Sequence, residues 1–152
     1  MIYIDADACP VKAETLKVAE RHGLGVFVVS NGGIRPSPHP LVENVIVPEG
    51  PDLADKWIAE RAGPGDIVVT ADIPLAAKCL ARGASAIRHD GNVFTEASIG
   101  NQLAMRDLMA DLRAADPFRK GGGRPFSRAD RSRFLDMLER EVRKNKPPGT
   151  GR

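Results

Sequence analysis

Residues 67–83 read IVVTADIPLAAKCLARG. Three apolar, strand-favouring residues run into Thr70, an aspartate stands at 72, a proline at 74, and a helically spaced apolar pattern follows. β-Branched residues suit a pleated, buried surface, and proline is tolerated in the first turn of a helix. The stretch therefore reads as a strand over Ile67–Thr70, Asp72 at the junction, and a helix over Leu75–Arg82. Residues 1–23, MIYIDADACPVKAETLKVAERHG, repeat the arrangement. A strand over Ile2–Ile4 ends on Asp5 and Asp7, Pro10 follows, and a helix over Val11–Arg21 puts Val11, Thr15, Val18 and His22 on one face. Gly23 and Gly25 close it.

Working outward, Val26–Val29 and Val42–Val47 read as strands, separated by the turn-rich loop SNGGIRPSPHP at residues 30–40. Leu53–Arg61 reads as a short helix closed by Gly63, GPGD as a turn, and Ala86–Ile87 as a last short strand. Strands and helices alternating at this spacing define a parallel sheet with crossover helices. Apolar strands without polar alternation are those covered on both faces. The expected fold class is α/β: three layers around a central, mostly parallel sheet of about five strands, with additional C-terminal helices. Ile99–Ala115 carries Leu103, Leu108, Met109 and Leu112, RKGGGRP is a connector, and Ser127 opens a final helix with a Leu135, Leu138, Val142 stripe. One domain is expected over 1–145, with its helical extension from about residue 98 and a tail at 146–152.

The 152 residues suit one core. No apolar run approaches the roughly 20 residues of a membrane span. No basic segment followed by an apolar stretch opens the chain, so no signal peptide is expected. Two cysteines and three histidines give neither a disulfide framework nor zinc spacing, and a cytoplasmic location with reduced thiols is expected. The net charge of +2 is uneven: residues 118–152 hold 11 Lys+Arg against 4 Asp+Glu, a charge of +7, which leaves −5 for the remainder. An acidic body with a basic arm suits a polyanionic partner; a solvated tail is the plainer reading.

In an open parallel sheet, ligands bind beyond the carboxyl ends of the strands where strand order reverses. If strands one and four are neighbours, Asp5, Asp7 and Asp72 converge there, and Asp52 and Asp55 at the start of the following helix reach the same end. Aspartate is also a preferred helix cap, which accounts for Asp52 and Asp72 without any ligand, and Asp52 with Asp55 resembles a capping box. Asp5 comes too early to cap the helix after Pro10. Several carboxylates in one crevice repel unless a cation sits among them, and oxygen-only ligands select Mg²⁺ or Mn²⁺. Three functions fit. A nuclease would use metal to cleave phosphodiesters. A haloacid-dehalogenase-like phosphatase would use DADA, with Asp5 as nucleophile and Asp7 as acid/base. That scheme lacks a suitably placed lysine, since Lys78 lies inside a helix. A non-catalytic module would bind RNA or a protein. Scarce aromatics count against stacking on single strands, and Trp57 at helical spacing from Leu53 reads as core.

DADACPVK at 5–12, SN at 30–31, DLADKWI at 52–58, DIVVTADIPLA at 66–76, NQLAMRDLM at 101–109 and FSRADRSRFL at 126–135 together resemble the YaiI/YqxD family of small bacterial proteins. The resemblance runs in order along nearly the whole chain. That family is similar in fold to PIN-like domains, metal-dependent ribonucleases with a cluster of acids, and so implies strands one and four side by side. It implies Asp5 as the first-strand acid, Asp52 or Asp55 as the helix acid, Asp72 as the fourth-strand acid and Asp90 as a further member. The helix acid is usually Glu, and Asp7 has no counterpart in the PIN scheme. Asp5, Asp55 and Asp72 are thus the candidate catalytic residues, and Asp5, Asp7, Asp52, Asp55 and Asp72 the candidate ligands of Mg²⁺ or Mn²⁺. Lys12, Asn31, Arg106, Lys120, Arg124 and Arg131 are the candidate phosphate or RNA contacts. Asn31 also reads as a turn former before Gly-Gly, and Arg131 as a structural ion pair with Asp130.

Overall fold

The computed structural model describes residues 1–6, 10–32, 36–48, 53–100 and 126–145. Asp7, Asp52, Arg106, Lys120 and Arg124 lie outside them, as do the Gly-rich connector, the tail and all but the first residues of the helix expected at 99–115. Five strands, β1 (Ile2–Asp5), β2 (Val26–Ser30), β3 (Val42–Ile46), β4 (Ile67–Val69) and β5 (Ser85–Ile87), form one sheet in the order β3-β2-β1-β4-β5. Every pairing is parallel, and β1 pairs with both β2 and β4. The chain winds outward from β1 through β2 to β3, then crosses to β4 and β5. Strand order therefore reverses between β1 and β4, the two strands whose sequences end on the paired aspartate motifs.

Side-chain parity divides the sheet into two faces. Ile2, Ile4, Val26, Val28, Ile67, Val69 and Ile87 point into one core with α1 (Lys12–His22) and α4 (Arg128–Asn145). Tyr3, Val29 and Val68 point into the other, against α2 (Leu53–Arg61) and α3 (Ile73–Ala81). Burying each of the larger aliphatic side chains contributes about 1.5–3 kcal/mol relative to exposure. Phe134, Leu138 and Val142 give α4 its buried stripe. Trp57 packs on Tyr3 and Phe27 in the second core, as its spacing implies.

The strand ends shift by a residue from the sequence reading, and one strand differs in kind. β3, VENVI, is an edge strand with no fully buried residue: Val42, Asn44 and Val45 are half-buried, Glu43 is exposed, and Ile46 is 65% exposed. β3 pairs only with β2, and it mixes Glu43 and Asn44 with its apolar residues, unlike the central β4.

The helix ends follow local chemistry. Asp72 caps α3, its Oδ1 accepting from the Leu75 amide at 2.9 Å, with Pro74 in the first turn. Gly23 ends α1 in the left-handed conformation at φ 66°, donating its amide back to the last turn. Ser127 and Asp130 form a reciprocal box at the start of α4: Ser127 Oγ accepts from the Asp130 amide and Asp130 Oδ2 from the Ser127 amide. No helix among the described residues is long and apolar enough to cross a membrane.

Candidate functional site at the carboxyl edge of the sheet

Asp5 is the last residue of β1, and parity turns it to the α2/α3 side of the sheet, as it does Tyr3. Thr70, one residue past β4, has the same parity as Val68 and faces the same way. Its side chain is buried, and its Oγ1 donates to Asp5 Oδ2 at 3.0 Å while accepting the Asp72 amide at 3.0 Å. One hydroxyl thus joins the carboxyl end of β1 to the junction of β4 with α3. The Asp72 carboxylate is held by its cap, which uses one of its two oxygens. Asp5 and Asp72 are therefore brought to one place by parallel pairing of β1 with β4. Sequence reading took Thr70 only as a strand end. The signal available was a hydroxyl two residues before an aspartate at a strand–helix junction, the spacing of a side chain to backbone turn.

Asp55 stands half-buried in the first turn of α2, on the same side of the sheet. It is close enough to α3 to add to the rise of the Cys79 thiol, which burial chiefly pushes up to about 11. Lys12 opens α1 on the opposite side of the same edge, and among the described residues no side chain caps that helix start. Asn31 follows β2 in an exposed turn, where Gly32 donates to Ser30 Oγ. Asp90 follows β5, where it closes a turn by accepting from the Asn92 amide and side chain and lies 3.8 Å from Arg88 Nε. Arg131 makes an ion pair, but across to α1: its Nε is 3.0 Å from Glu14 Oε1, and its guanidinium lies over the Phe126 ring. Among the described residues, no group of three or more His, Cys, Asp or Glu side chains is placed to hold a metal ion. Asp7 and Asp52 are outside that count.

The α1/α4 face carries a second cluster at this edge. Glu14 with Arg131, and His22 with Glu139, show that α1 and α4 run side by side in the same direction. Both helices therefore start at the carboxyl edge. His89, in the turn after β5, packs its ring against Phe126 at 5.8 Å between centroids. Burial, more than the neighbouring Arg88 charge, lowers its pKa against the opposing pull of Asp90 and Asp130. Among the described residues, the buried atoms His89 Nδ1 and Glu14 Oε2 have no hydrogen-bond partner, and buried Arg88 Nε has only the 3.8 Å ion pair with Asp90. No sequence pattern marked Arg88 or His89, because their surroundings depend on how α4 packs on the turn.

A three-layer α/β domain whose strand order reverses between two central parallel strands belongs to the doubly wound class of folds. A family model described as "Uncharacterized BCR, YaiI/YqxD family" matches residues 3–144, and the chain belongs to that family. It is 72% identical to a UPF0178 protein of Cereibacter sphaeroides strain ATCC 17025 over 94% of this chain and 89% of that one. A UPF0178 protein of Ruegeria pomeroyi is 70% identical over 93% of each chain, and one of Rhizobium etli 58% identical over 96% of this chain and 94% of its own. No solved structure matches.

Proposed function

We propose that the carboxyl edge between β1 and β4 is the centre of a metal-dependent hydrolase that cleaves phosphodiester bonds in single-stranded RNA. The observation that carries the reading is the Asp5–Thr70–Asp72 linkage, which fixes a β1 carboxylate beside a capped second one at the strand-order reversal. The family's likeness to PIN-like domains and the basic C-terminal segment support the same substrate class. The donors here are all oxygen, which suits Mg²⁺ or Mn²⁺ over softer metals. Asp5 and Asp72, with Asp7 and either Asp52 or Asp55, are the residues that would hold the ion. Bound there, it supplies Lewis acidity toward the attacking water and the leaving oxygen.

The chain's own groups do the rest. The Thr70 hydroxyl orients Asp5 by holding one of its oxygens. The starts of α1 and α3 present the positive ends of their dipoles to a phosphate between them, and the amides at the α1 start are uncapped by any described side chain. In hydrolysis, water adds its hydroxyl to phosphorus, the P–O ester bond breaks, and the departing oxygen takes the proton.

The test is incubation of labelled single-stranded RNA with Mn²⁺ or Mg²⁺. Wild type cleaves, and Asp5→Asn loses the activity by about a hundredfold or more, the scale of removing one preorganised electrostatic partner. In ¹⁸O-labelled water under single-turnover conditions, the label appears on the product phosphate. Brisk hydrolysis of small monoesters with label on Asp5 would instead establish a phosphatase with an aspartyl intermediate. No reaction on either substrate would overturn both.

A further inference from the structure

The two edges of the sheet are finished differently. Beyond β5 the chain folds back: the Phe94 amide donates to the Ala86 carbonyl at 2.9 Å and Val93 bridges Ile87. β3 pairs with β2 and, among the described residues, with nothing on its outer side. The ends of the β2–β3 ladder are Val26 N–H to the Leu41 carbonyl and Val47 N–H to the Ser30 carbonyl, both 2.8 Å. Alternation along a parallel ladder then turns the peptide groups of Glu43 and Val45 toward β2, and those of Val42, Asn44 and Ile46 outward. The Val42 amide is taken by the His39 carbonyl. Left over among the described residues are the amides of Asn44 and Ile46 and the carbonyls of Val42, Asn44 and Ile46.

The segment before β3 does not cover them. Asn44 has the parity of Val42, which packs into the core on the α1/α4 face. Its side chain holds Ser37 in both directions: Oδ1 accepts from the Ser37 amide at 3.0 Å, and Nδ2 donates to the Ser37 carbonyl at 2.8 Å. His39 is drawn to the same face by Glu20 of α1. The segment is therefore held over the face and out of the plane of the sheet. Ile46, 65% exposed, is the most exposed large apolar side chain among the described residues. Natural edges are blunted by lysine, proline or a bulge. β3 has neither residue, and its register runs unbroken from Val42 to Ile46.

We propose that β3 pairs antiparallel with β3 of a second copy of this chain, about a two-fold axis through Asn44, and joins the two five-stranded sheets edge to edge. The second copy fits because this edge complements itself. Each Asn44 amide donates to the partner's Asn44 carbonyl, and each Ile46 amide donates to the partner's Val42 carbonyl. These bonds, made in both directions, use both free donors and leave the Val42 amide with His39. The side chains agree with the same register. Ile46 meets the partner's Val42, and Glu43, the only charge on the strand, meets the partner's Val45. An axis through Glu43 would set two carboxylates directly opposite, and an axis through Val45 would set Asn44 against Ile46. Symmetry supplies the match at no further cost in sequence, since one strand provides both halves. A pair of five-residue strands is a small interface, so the association is weak and depends on concentration. The join lies two strands from β1, so it leaves the Asp5 edge open and does not rest on the function proposed above.

Sedimentation equilibrium of the full chain over roughly 1 µM to 1 mM protein reads the mass. Wild type rises from 16.3 kDa toward twice that value. Ile46→Pro removes an outward amide and no bond to β2, a substitution that edge strands tolerate. Ile46→Lys keeps the amide and places a charge on the edge. Both variants stay at the monomer mass, and Ile46→Lys carries the test if the proline variant folds poorly. Hydrogen exchange locates the contact. Where about nine-tenths of the wild-type chains are paired, the Asn44 and Ile46 amides exchange about tenfold more slowly than in dilute protein, while the Glu43 and Val45 amides, already bonded to β2, keep their rates. A wild type that is monomeric across the range overturns the pairing and leaves the edge to a strand of another protein. A dimer that persists in both variants, or that leaves the Asn44 and Ile46 amides unchanged, overturns it as well, because its interface lies elsewhere.

Discussion

Replacing Thr70 by valine keeps shape and volume and deletes one hydroxyl. That hydroxyl is buried, donates to the Asp5 carboxylate at 3.0 Å and accepts the Asp72 amide at 3.0 Å. A hydrogen bond to a charged group contributes about 1.5–3 kcal/mol, and an amide left unpaired adds up to a similar amount where water cannot replace the partner. Asp5 is only partly buried, so water recovers part of the loss. The expected destabilisation of Thr70→Val is about 2–4 kcal/mol, which is roughly 5–12 °C in Tm for a chain of this size. Thr70→Ser keeps the hydroxyl and loses one buried methyl, about 1 kcal/mol. Urea unfolding with linear extrapolation separates the two. In an Asp5→Asn background the valine penalty shrinks by about 1 kcal/mol or more, because the charge-assisted bond is already gone. A valine variant as stable as the serine variant would refute the linkage of β1 to β4 through Thr70.

Glu139 provides a pH test. Burial raises its pKa, but the hydrogen bonds from His22 and Arg21 outweigh that and leave it below the usual carboxylate range. A depressed folded-state pKa gives stability that is present above the unfolded value and lost as pH falls through the folded one. Wild type should therefore lose Tm more steeply than Glu139→Gln below about pH 4.5, and parallel curves would remove the pair from the account. Cys79 should be inert in the folded protein: with its pKa at about 11, only about a thousandth is thiolate at pH 8. In a Cys9→Ser variant, Ellman's reagent should label Cys79 only as fast as the chain opens, and prompt labelling would contradict its burial.

The fold was largely legible because its strands announce themselves. β1 up to Asp5 and the whole of β4 are buried on both faces and carry no polar alternation, and each is punctuated by an aspartate and a proline. α2 matches its expected span because Gly63 follows it closely. β3 was harder to read: as an edge strand it mixes Glu43 and Asn44 with valine, and its partial exposure is a property of its place in the sheet. At the site, Asp5 and Asp72 could be picked out because they stand at strand ends in such a sheet, and Asp72 is the cap of α3, the plainer of its two readings from sequence. Thr70 and the Arg88–His89 corner needed tertiary structure. Their surroundings depend on which oxygen a hydroxyl reaches across a parallel pair, and on how Phe126 and α4 pack against the turn after β5. Arg131 illustrates the same limit, since its carboxylate partner across the helix contact, Glu14, lies more than a hundred residues earlier in the chain.

The central claim is a cation held at the β1/β4 edge by Asp5 and Asp72, and thermal unfolding with and without Mg²⁺ or Mn²⁺ tests it most directly. An ion present at about 100 times its dissociation constant stabilises a fold that alone binds it by about 2.7 kcal/mol. At roughly 2–4 °C per kcal/mol, Tm should rise by about 5–10 °C. Asp5→Asn/Asp72→Asn should abolish the rise while keeping the α3 cap, because asparagine caps helices as well as aspartate. A rise in the double variant equal to that of wild type, or no rise in wild type at saturating metal, would contradict the account.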